Sequence, residues 1–176
     1  MSLFEESARV PMLIVAPGVT AKGGVAKSPV SHIDLFPTLT ELCGLKAPSN
    51  IQGQSLIPML KDPSVTGRGW AITQVTRGGA GAAQNSKAND KRFFGYSLRT
   101  ARWRYTEWDD GKQGRELYDH DADPFEQTNL ASKVEHAKTV DELSKQVRSA
   151  AKSTFPPSGE TPEIKSALWA PLLTEP

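Results

Sequence analysis

The stretch Gly95-Tyr-Ser-Leu-Arg-Thr-Ala-Arg-Trp-Arg-Tyr-Thr-Glu-Trp108 decides the fold of this chain. Large apolar or aromatic side chains alternate with polar ones in two consecutive runs, and this alternation is typical of half-buried β-strands. The side chains that share a face are Phe94, Tyr96 and Leu98 in the first run, and Trp103, Tyr105 and Glu107 in the second.

Two short segments predict the reversals between these strands. Thr100-Ala101 separates the two runs, and Asp109-Asp110-Gly111 follows the second run. An Asp-Gly pair readily takes the positive φ that a tight hairpin needs. Arg115-Glu-Leu-Tyr118 comes next as a further strand, so the sequence predicts a three-stranded antiparallel meander from about residue 92 to about residue 119.

The N-terminal third has a different character. The run Met12–Ala16 is continuously apolar and is bounded by prolines, which predicts a strand over residues 9–16 buried on both faces, as in an α/β sheet. A helix is predicted over 31–43, capped by Ser31 or Asp34 and ended by Gly44.

A fourth strand at 70–76 and a helix at 132–152 complete the predicted elements. The C-terminal helix carries an apolar stripe, because valine, leucine and alanine recur in it at helical spacing. The predicted core comprises Leu13, Ile14, Val15, Leu35, Leu39, Leu42, Phe94, Tyr96, Leu98, Trp103, Tyr105, Leu117, Leu143 and Val147.

Composition excludes several classes of function. A formal net charge of +1 gives no electrostatic case for a nucleic acid or an anionic membrane as partner. No run of 18 apolar residues is present, so no membrane span is expected. Cys43 is the single cysteine, which excludes an intrachain disulfide, and its place in the helix pattern predicts a buried thiol that acts as a small hydrophobe.

Candidate functional residues are few. His32, His120 and His136 show no metal-ligand spacing, and the alternating Asp119, Asp121 and Asp123 lack the glycine and closing glutamate of an EF-hand loop. We therefore interpret the three aspartates as turn residues, and we expect no catalytic residues and no metal site in this chain.

Arg77 is the charge of most interest, because it lies where a strand ends and the Gly-rich segment 77–91 begins. A planar guanidinium at that place can bind a sulfate or a carboxylate. The alternative is a solvated charge at a strand end. The other arginines, Arg99, Arg102 and Arg104, fall on the face opposite the apolar side chains, where a solvated or carboxylate-paired surface is expected.

An ordered set of motifs over residues 3–150 resembles the second half of the sulfatase family. These motifs are Leu3-Phe-Glu-Glu-Ser-Ala-Arg-Val-Pro11, Ile14-Val-Ala-Pro-Gly18, Asp34-Leu-Phe-Pro-Thr-Leu39, Leu42-Cys-Gly-Leu45, Gly53-Gln-Ser-Leu56, Glu116-Leu-Tyr-Asp119, Asp123-Pro124, Glu126 and Asn129-Leu130. The segment Gly95-Tyr-Ser-Leu-Arg-Thr100, with Arg104-Tyr-Thr106 and Trp108, is most similar to the iduronate-2-sulfatase branch.

The resemblance implies an α+β fold. It implies a C-terminal sulfatase subdomain of about four antiparallel strands with a packed C-terminal helix, and a strand and helix that belong to a truncated α/β catalytic domain of the alkaline-phosphatase type. The expected divisions are 1–68 for the catalytic-domain remnant, 69–152 for the subdomain and 153–176 for a Pro-rich tail.

The resemblance also implies chemistry that this chain does not carry. The family cleaves sulfate esters with a formylglycine, made from a Cys in C-x-P-x-R or a related signature, beside a calcium ion held by carboxylates. Cys43 lies in Leu42-Cys-Gly-Leu45 and does not fit that signature. We therefore expect the fragment alone to be inactive, with the missing N-terminal half as its partner and a sulfated carbohydrate as substrate of the full-length enzyme.

Two alternative hypotheses stay open. One is a non-catalytic module that binds sulfated glycans through Arg77, Lys87, Lys91 and Arg92. The other is a folding unit that self-associates through the apolar strand at 10–16. The compartment is not predicted, because no signal peptide is visible and members of the family are often periplasmic, secreted or lysosomal.

Overall fold

The meander forms as its alternation predicts. In the computed structural model, which describes residues 2–78 and 92–154, four strands form one antiparallel sheet in the order β1-β2-β3-β4. The strands are β1 Trp70–Arg77, β2 Phe93–Thr100, β3 Trp103–Trp108 and β4 Arg115–Asp119. The α-helices are α1 Glu5–Ala8, α2 Leu35–Leu42, α3 Ile57–Lys61 and α4 Ala137–Lys152, and short 3-10 turns at His32–Asp34 and Val134–His136 precede α2 and α4.

One face of the sheet is closed by α4. Leu98, Tyr105 and Leu117 come from three neighbouring strands and are completely buried against the helix. Their partners on α4 are Val140, Leu143, Val147 and Ala150. The strands contribute every second side chain to this core, and the helix contributes side chains that recur every three or four residues. The core therefore depends on both sequence patterns.

Glu107 lies on this apolar face and is almost completely buried. Its carboxylate accepts hydrogen bonds from Tyr105 Oη at 2.9 Å and from Ser144 Oγ at 2.7 Å. Arg148 of α4 donates to both of its oxygens, at 2.9 and 3.0 Å. Burial disfavours the charged form of Glu107, but these bonds outweigh burial and hold the pKa of the carboxyl below its ordinary value. Burial and the charge of Glu107 together raise the pKa of Tyr105.

The opposite face of the sheet is polar. Ser97 and Thr106 lie at its centre, are buried, and are joined by a hydrogen bond of 2.9 Å between their hydroxyl groups. Gly95 and Trp108 are paired across β2 and β3 on this face. A Cβ atom at Gly95 would lie 2.4 Å from two carbons of the Trp108 ring, so only glycine lets the indole lie against the strand.

The predicted strand at 9–16 is absent, and this prediction is wrong for the described structure. Leu13 and Val15, expected in the core, are 89% and 75% exposed. A strand buried on both faces needs hydrogen-bonded neighbours and covering helices, and the described residues provide none beside this segment. Ile14 is half-buried, because alternate residues of the segment turn toward the rest of the chain.

The helix predicted over 31–43 is present, with a different buried face. Leu39 is 55% exposed and Cys43 is exposed, which corrects both predictions, whereas Asp34 and Thr38 are completely buried. The predicted cap is confirmed, since the Asp34 carboxylate accepts the Ser31 N–H at 2.8 Å. Gly44 ends the helix with a φ of 68°.

Asp34 is buried because it organises the following loop. Its carboxylate accepts the backbone N–H of Gln54 at 2.9 Å and is ion-paired with Arg68. Thr38 Oγ1 accepts the N–H of Leu56 at 2.9 Å. The buried face of the helix is therefore polar where the leucine spacing predicted an apolar one, and side-chain hydrogen bonds replace apolar packing.

Two predicted segments fall largely outside the described residues. They are the Gly-rich segment 77–91, with Lys87 and Lys91, and the tail 153–176. Within the described part of the chain, no helix is long and apolar enough to cross a membrane. The division of the chain at residues 68 and 152 stays a prediction.

Replacing Gly95 by alanine should destabilise the fold. Because the new methyl group would overlap the Trp108 ring, we expect the free energy of unfolding to fall by about 1–3 kcal/mol, measured by urea denaturation. In a Trp108→Leu background the same substitution should cost less, since the obstructing ring is gone. An equal cost in both backgrounds would show that the ring contact is not the reason for glycine at this position.

Acid should weaken the fold partly through Glu107. Its folded pKa is depressed, so the unfolded chain binds more protons in acid. The stabilisation is present above the ordinary glutamate pKa and is lost as the pH falls through the folded pKa, that is, below about pH 5. Glu107→Gln should be less stable than the parent at pH 7 and lose less stability between about pH 5 and pH 3. Glu142→Gln, at an exposed position, is the control and should keep the parent's pH dependence; parallel pH profiles for all three proteins would contradict the assignment.

Candidate functional site

The polar face of the sheet carries two groups of charged side chains, one at each end. The first group is an ion-paired cluster, which we call the Arg104 cluster, formed by Glu5, Arg99, Arg104, His120 and Glu126. The second is a depression near Arg77 and Trp108, which we call the Arg77 depression. The charged groups of the Arg104 cluster are paired with one another, whereas Arg77 has no carboxylate partner among residues 2–78 and 92–154.

Arg104 is the centre of its cluster and is only 2% exposed. Its Nε donates to Glu126 Oε1 at 2.5 Å, and its second amino group is ion-paired with Glu5. It also donates to Ser97 Oγ at 3.1 Å. Arg99 reaches the same Glu5 carboxylate at 3.1 Å. The expectation of a carboxylate-paired sheet face is therefore confirmed for Arg99 and Arg104.

Glu126 joins the beginning of the chain to its later part. The backbone N–H of Glu5 donates to Glu126 Oε2 at 2.7 Å, across 121 residues of sequence. Glu126 has a φ of 56°, a left-handed conformation that costs free energy in a residue with a side chain. Its bonds to Arg104 and to the Glu5 backbone hold it in place.

The Glu5 carboxyl stays ionised although it is partly buried. Burial disfavours its charge, but the hydrogen bonds and positive charges of Arg99 and Arg104 outweigh burial, so the pKa of Glu5 lies below its ordinary value. The pKa of the neighbouring Tyr118 is raised to about 12, by burial first and then by the charges of Glu116 and Glu126. Only the shift of Glu5 is a consequence of the ion pairs of this cluster.

Glu5, His120 and Glu126 could in principle hold a metal ion, since ligand atoms from the three lie within 4.8 Å of one another. They do not fit the calcium ion that the sulfatase resemblance implies. The Arg104 guanidinium donates to both carboxylates and already supplies the positive charge there. Calcium also prefers a shell of six to eight oxygen ligands, which a histidine does not provide. The cluster is a structural ion-pair network.

The three aspartates near His120, predicted to be turn residues, lie at the end of β4 and in the turn that follows it, and two of them also lie near Arg102. Asp119 accepts two hydrogen bonds from Arg102, at 2.9 and 2.6 Å, and these bonds hold the pKa of its carboxyl below the ordinary value. Asp123 accepts the N–H of Thr128 at 2.8 Å. Asp121 lies near Arg102, at 3.5 Å, on the exposed side of the turn.

Arg77, the one predicted substrate-binding residue, lies at the other end of the polar face. Its guanidinium carbon is 5.2 Å from the centroid of the Trp108 ring, which is the geometry of a cation–π contact. It borders a shallow depression of about 380 Å³. The lining residues are Arg77, Phe93, Trp108, Gln113, Gly114, Arg115, Glu116 and Asn129.

Sequence reasoning found Arg77 but missed the residues around it. Sequence analysis places Trp108 at the end of a strand and Asn129 in a family motif, but it gives neither residue, nor Phe93 or Gln113, a role in binding. The signal available was Gly95 opposite Trp108, because a glycine inside an aromatic-rich strand often marks a place where another group approaches closely. The Arg104 cluster could not have been found in this way, since Glu5 and Arg104 are 99 positions apart.

Solved structures that resemble this fold define its class. BT4656, in complex with D-glucosamine-2-N,6-O-disulfate, superposes with a TM-score of 0.58 at 27% identity, over 78% of this chain and 27% of that chain. BT1596, described as a 2-O GAG sulfatase, gives a TM-score of 0.52 at 28% identity, over 68% of this chain and 24% of that chain. The four-stranded sheet with its C-terminal helix is thus the C-terminal subdomain of a sulfatase, as expected.

The family follows from the sequence comparisons. The family described as N-sulphoglucosamine sulphohydrolase, C-terminal, matches residues 1–153, and the chain belongs to that family. Arylsulfatase K of Xenopus laevis is 32% identical over 158 residues, which is 85% of this chain and 27% of that protein. The chain therefore spans about a quarter of the length of the relatives it matches. The general resemblance to sulfatases is confirmed, whereas the relatives found are arylsulfatase K and do not single out the iduronate-2-sulfatase branch.

Removing Arg104 should destabilise the chain strongly. Arg104→Met removes the guanidinium that Glu5 and Glu126 share; Glu5 keeps Arg99, but the almost completely buried Glu126 loses its arginine partner, and breaking such a buried pair costs about 3–5 kcal/mol of unfolding free energy. Lys145→Met is the matched control, because it removes an exposed i,i+4 pair with Asp141 and should cost no more than about 0.5 kcal/mol. Urea denaturation measures both. A loss below about 1 kcal/mol for Arg104→Met would contradict a stabilising role for the cluster.

Proposed function

We propose that this chain is the C-terminal part of an enzyme that hydrolyses sulfate esters of carbohydrates. The observation that carries the proposal is the match of residues 1–153 to a sulfatase C-terminal family. The two structural neighbours described above extend it, since BT1596 is described as a 2-O GAG sulfatase and BT4656 holds a disulfated glucosamine.

The proposed substrate is a sulfated uronate in a glycosaminoglycan, as in the iduronate-2-sulfatase branch. Two features support this choice. The segment Gly95–Thr100 resembles that branch, and BT1596, which shares the fold at 28% identity, acts as a 2-O sulfatase by its description. Within the longer protein, the described residues would support the catalytic domain and form part of the wall of the substrate cleft.

The chemistry of the ester bond is proposed to come from residues upstream of this chain. Sulfate-ester hydrolysis needs an activated nucleophile, groups that neutralise the sulfuryl oxygens and an acid for the leaving group. In the described part of the chain, the histidine and the arginines of the Arg104 cluster are committed to carboxylates, and Cys43 has no base in its sequence context. The calcium ion and the formylglycine of the family are likewise proposed for the upstream part.

The exposed apolar residues near the N-terminus fit this arrangement. Leu13 and Val15 are exposed in a segment whose sequence is typical of a strand in an α/β sheet. We propose that the catalytic domain of the longer protein covers them. For the chain by itself, the same surface makes self-association the expected consequence.

A binding module without catalysis is the second candidate. It is favoured by the exposure of Arg77, which has no carboxylate partner among residues 2–78 and 92–154. Lys87 and Lys91, which this hypothesis also uses, lie outside the described residues. The module would bind sulfated glycans whether or not the longer protein turns them over.

Activity assays on two forms of the protein test the proposal. A 2-O-sulfated uronate disaccharide and an aryl sulfate should be hydrolysed, with calcium, by a form that includes the upstream catalytic half. The 176-residue chain should release no sulfate above background, because it contributes no nucleophile. Turnover by the chain alone would contradict this assignment, and an inactive but folded longer form that binds the disaccharide would favour the binding module.

A further inference from the structure

The Arg77 depression contains an arginine that contacts an aromatic ring but has no hydrogen-bond acceptor within the described part of the chain. Seven arginines pair with carboxylates in the described part of the chain: Arg9, Arg68, Arg99, Arg102, Arg104, Arg115 and Arg148. Arg77 is different, since among residues 2–78 and 92–154 no carboxylate or carbonyl group accepts a hydrogen bond from it. Its contact with the protein is the Trp108 ring.

The ring under Arg77 is itself held rigidly. Trp108 Nε1–H donates to Glu116 Oε1 at 3.0 Å. The ring of Phe93 meets Trp108 edge-on, with centroids 6.5 Å apart and planes at 87°. Gly95 lets the six-membered part of the indole lie directly against β2. Three contacts therefore determine the position of the surface on which the guanidinium rests.

Stacking and hydrogen bonding use different parts of a guanidinium. The contact with an indole uses the face of the planar group, whereas its five N–H donors point outward in the plane. The contact of Arg77 with the Trp108 ring uses none of its N–H donors, and among residues 2–78 and 92–154 no carboxylate or carbonyl group accepts a hydrogen bond from them. An arginine in this state is prepared to bind an oxyanion in a bidentate manner.

The remaining lining favours an anion of small size. Arg77, Arg115 and Glu116 are the charged residues that line the depression. One oxygen of Glu116 already accepts the indole N–H. Arg115 is already ion-paired with Glu107, since its Nε lies 3.3 Å from Glu107 Oε1, and its side chain is about half-exposed. The volume of about 380 Å³ lies at the lower end of the range for small-molecule sites, which suits one sugar residue.

We propose that the Arg77 depression is a subsite for an acidic sugar residue, whose oxyanion is bound by the Arg77 guanidinium over Trp108. The oxyanion is either a sulfate ester or a uronate carboxylate. This inference rests on the proposed function for its choice of a sugar as the ligand. Trp108 acts here as a positioning residue, since it fixes the orientation of the arginine.

Binding measurements on the 176-residue chain test the subsite. The probes are a sulfated uronate disaccharide, the same disaccharide without sulfate, and inorganic sulfate, each followed by calorimetry and by the NMR signal of the Trp108 indole N–H. Replacing Arg77 by glutamine should weaken binding of the sulfated disaccharide about 10- to 100-fold, as expected for hydrogen bonds to a charged group. The thermal midpoint should fall only slightly, because Arg77 is exposed and an exposed cation–π contact contributes little to stability.

Controls separate this role from a general effect of charge. Arg9→Gln removes the same charge at another exposed position and should leave affinity unchanged. Arg77→Lys keeps the charge but loses the bidentate geometry, so it should recover only part of the affinity. Equal weakening by Arg77→Gln and Arg9→Gln would overturn the subsite, as would binding that does not depend on Arg77.

The probes identify the bound group. If the Arg77-dependent affinity is lost with the desulfated disaccharide, the group is the sulfate ester; if it is retained, the group is the carboxylate. Binding of inorganic sulfate that shifts the NMR signal of the Trp108 indole N–H would support the sulfate-ester assignment. If Arg77→Gln binds inorganic sulfate equally well, the sulfate is an adventitious ion only, and that result would contradict the assignment.

Failure of the subsite and failure of the proposed function are distinguishable. An active longer protein whose KM is the same with Arg77 and with Arg77→Gln would overturn the subsite and leave the sulfatase function intact. An inactive longer protein that still binds the disaccharide in an Arg77-dependent way would support the subsite and contradict the sulfatase function.

Discussion

The structure depends on one buried guanidinium, that of Arg104 in β3. It sits between the carboxylates of Glu5 and Glu126 and so fastens the start of the chain to the polar face of the sheet. A buried charge is tolerated only when its partners and hydrogen bonds are complete, and Ser97 completes this set. The arrangement ties residues 121 positions apart to one site.

The two faces of the sheet differ in the groups that cover them. The apolar face is closed by α4, and even its buried charge, Glu107, is bound to the helix through Arg148. The polar face has no such helix in the described structure. Its centre is closed by hydroxyl groups and ion pairs, and its far end stays open at the Arg77 depression. A surface that is charged, rigid and still accessible is the place where a sheet of this kind can meet a ligand.

The charged side chains of the polar face differ in the same way. The guanidinium and carboxylate groups of the Arg104 cluster are paired with one another, whereas Arg77 has no carboxylate partner among residues 2–78 and 92–154, and this difference is the basis for proposing Arg77 as a binding residue. Sequence analysis identified Arg77 from its position at a strand end. It did not identify Trp108 as the support of Arg77, because stacking between residues so far apart in the chain depends on the pairing of β1, β2 and β3.

The sequence by itself determined the four strands of the sheet and the C-terminal helix, because alternation, turn chemistry and helical spacing are local properties. The meander, the C-terminal helix and the glycine at the end of α2 were all predictable for that reason. Tertiary structure alone decided which charges are paired, that Leu39 is exposed while Asp34 is buried, and that Leu13 and Val15 lie uncovered. These outcomes depend on which distant segments are present to supply a hydrogen bond, a counter-charge or an apolar surface, and no local pattern contains that information.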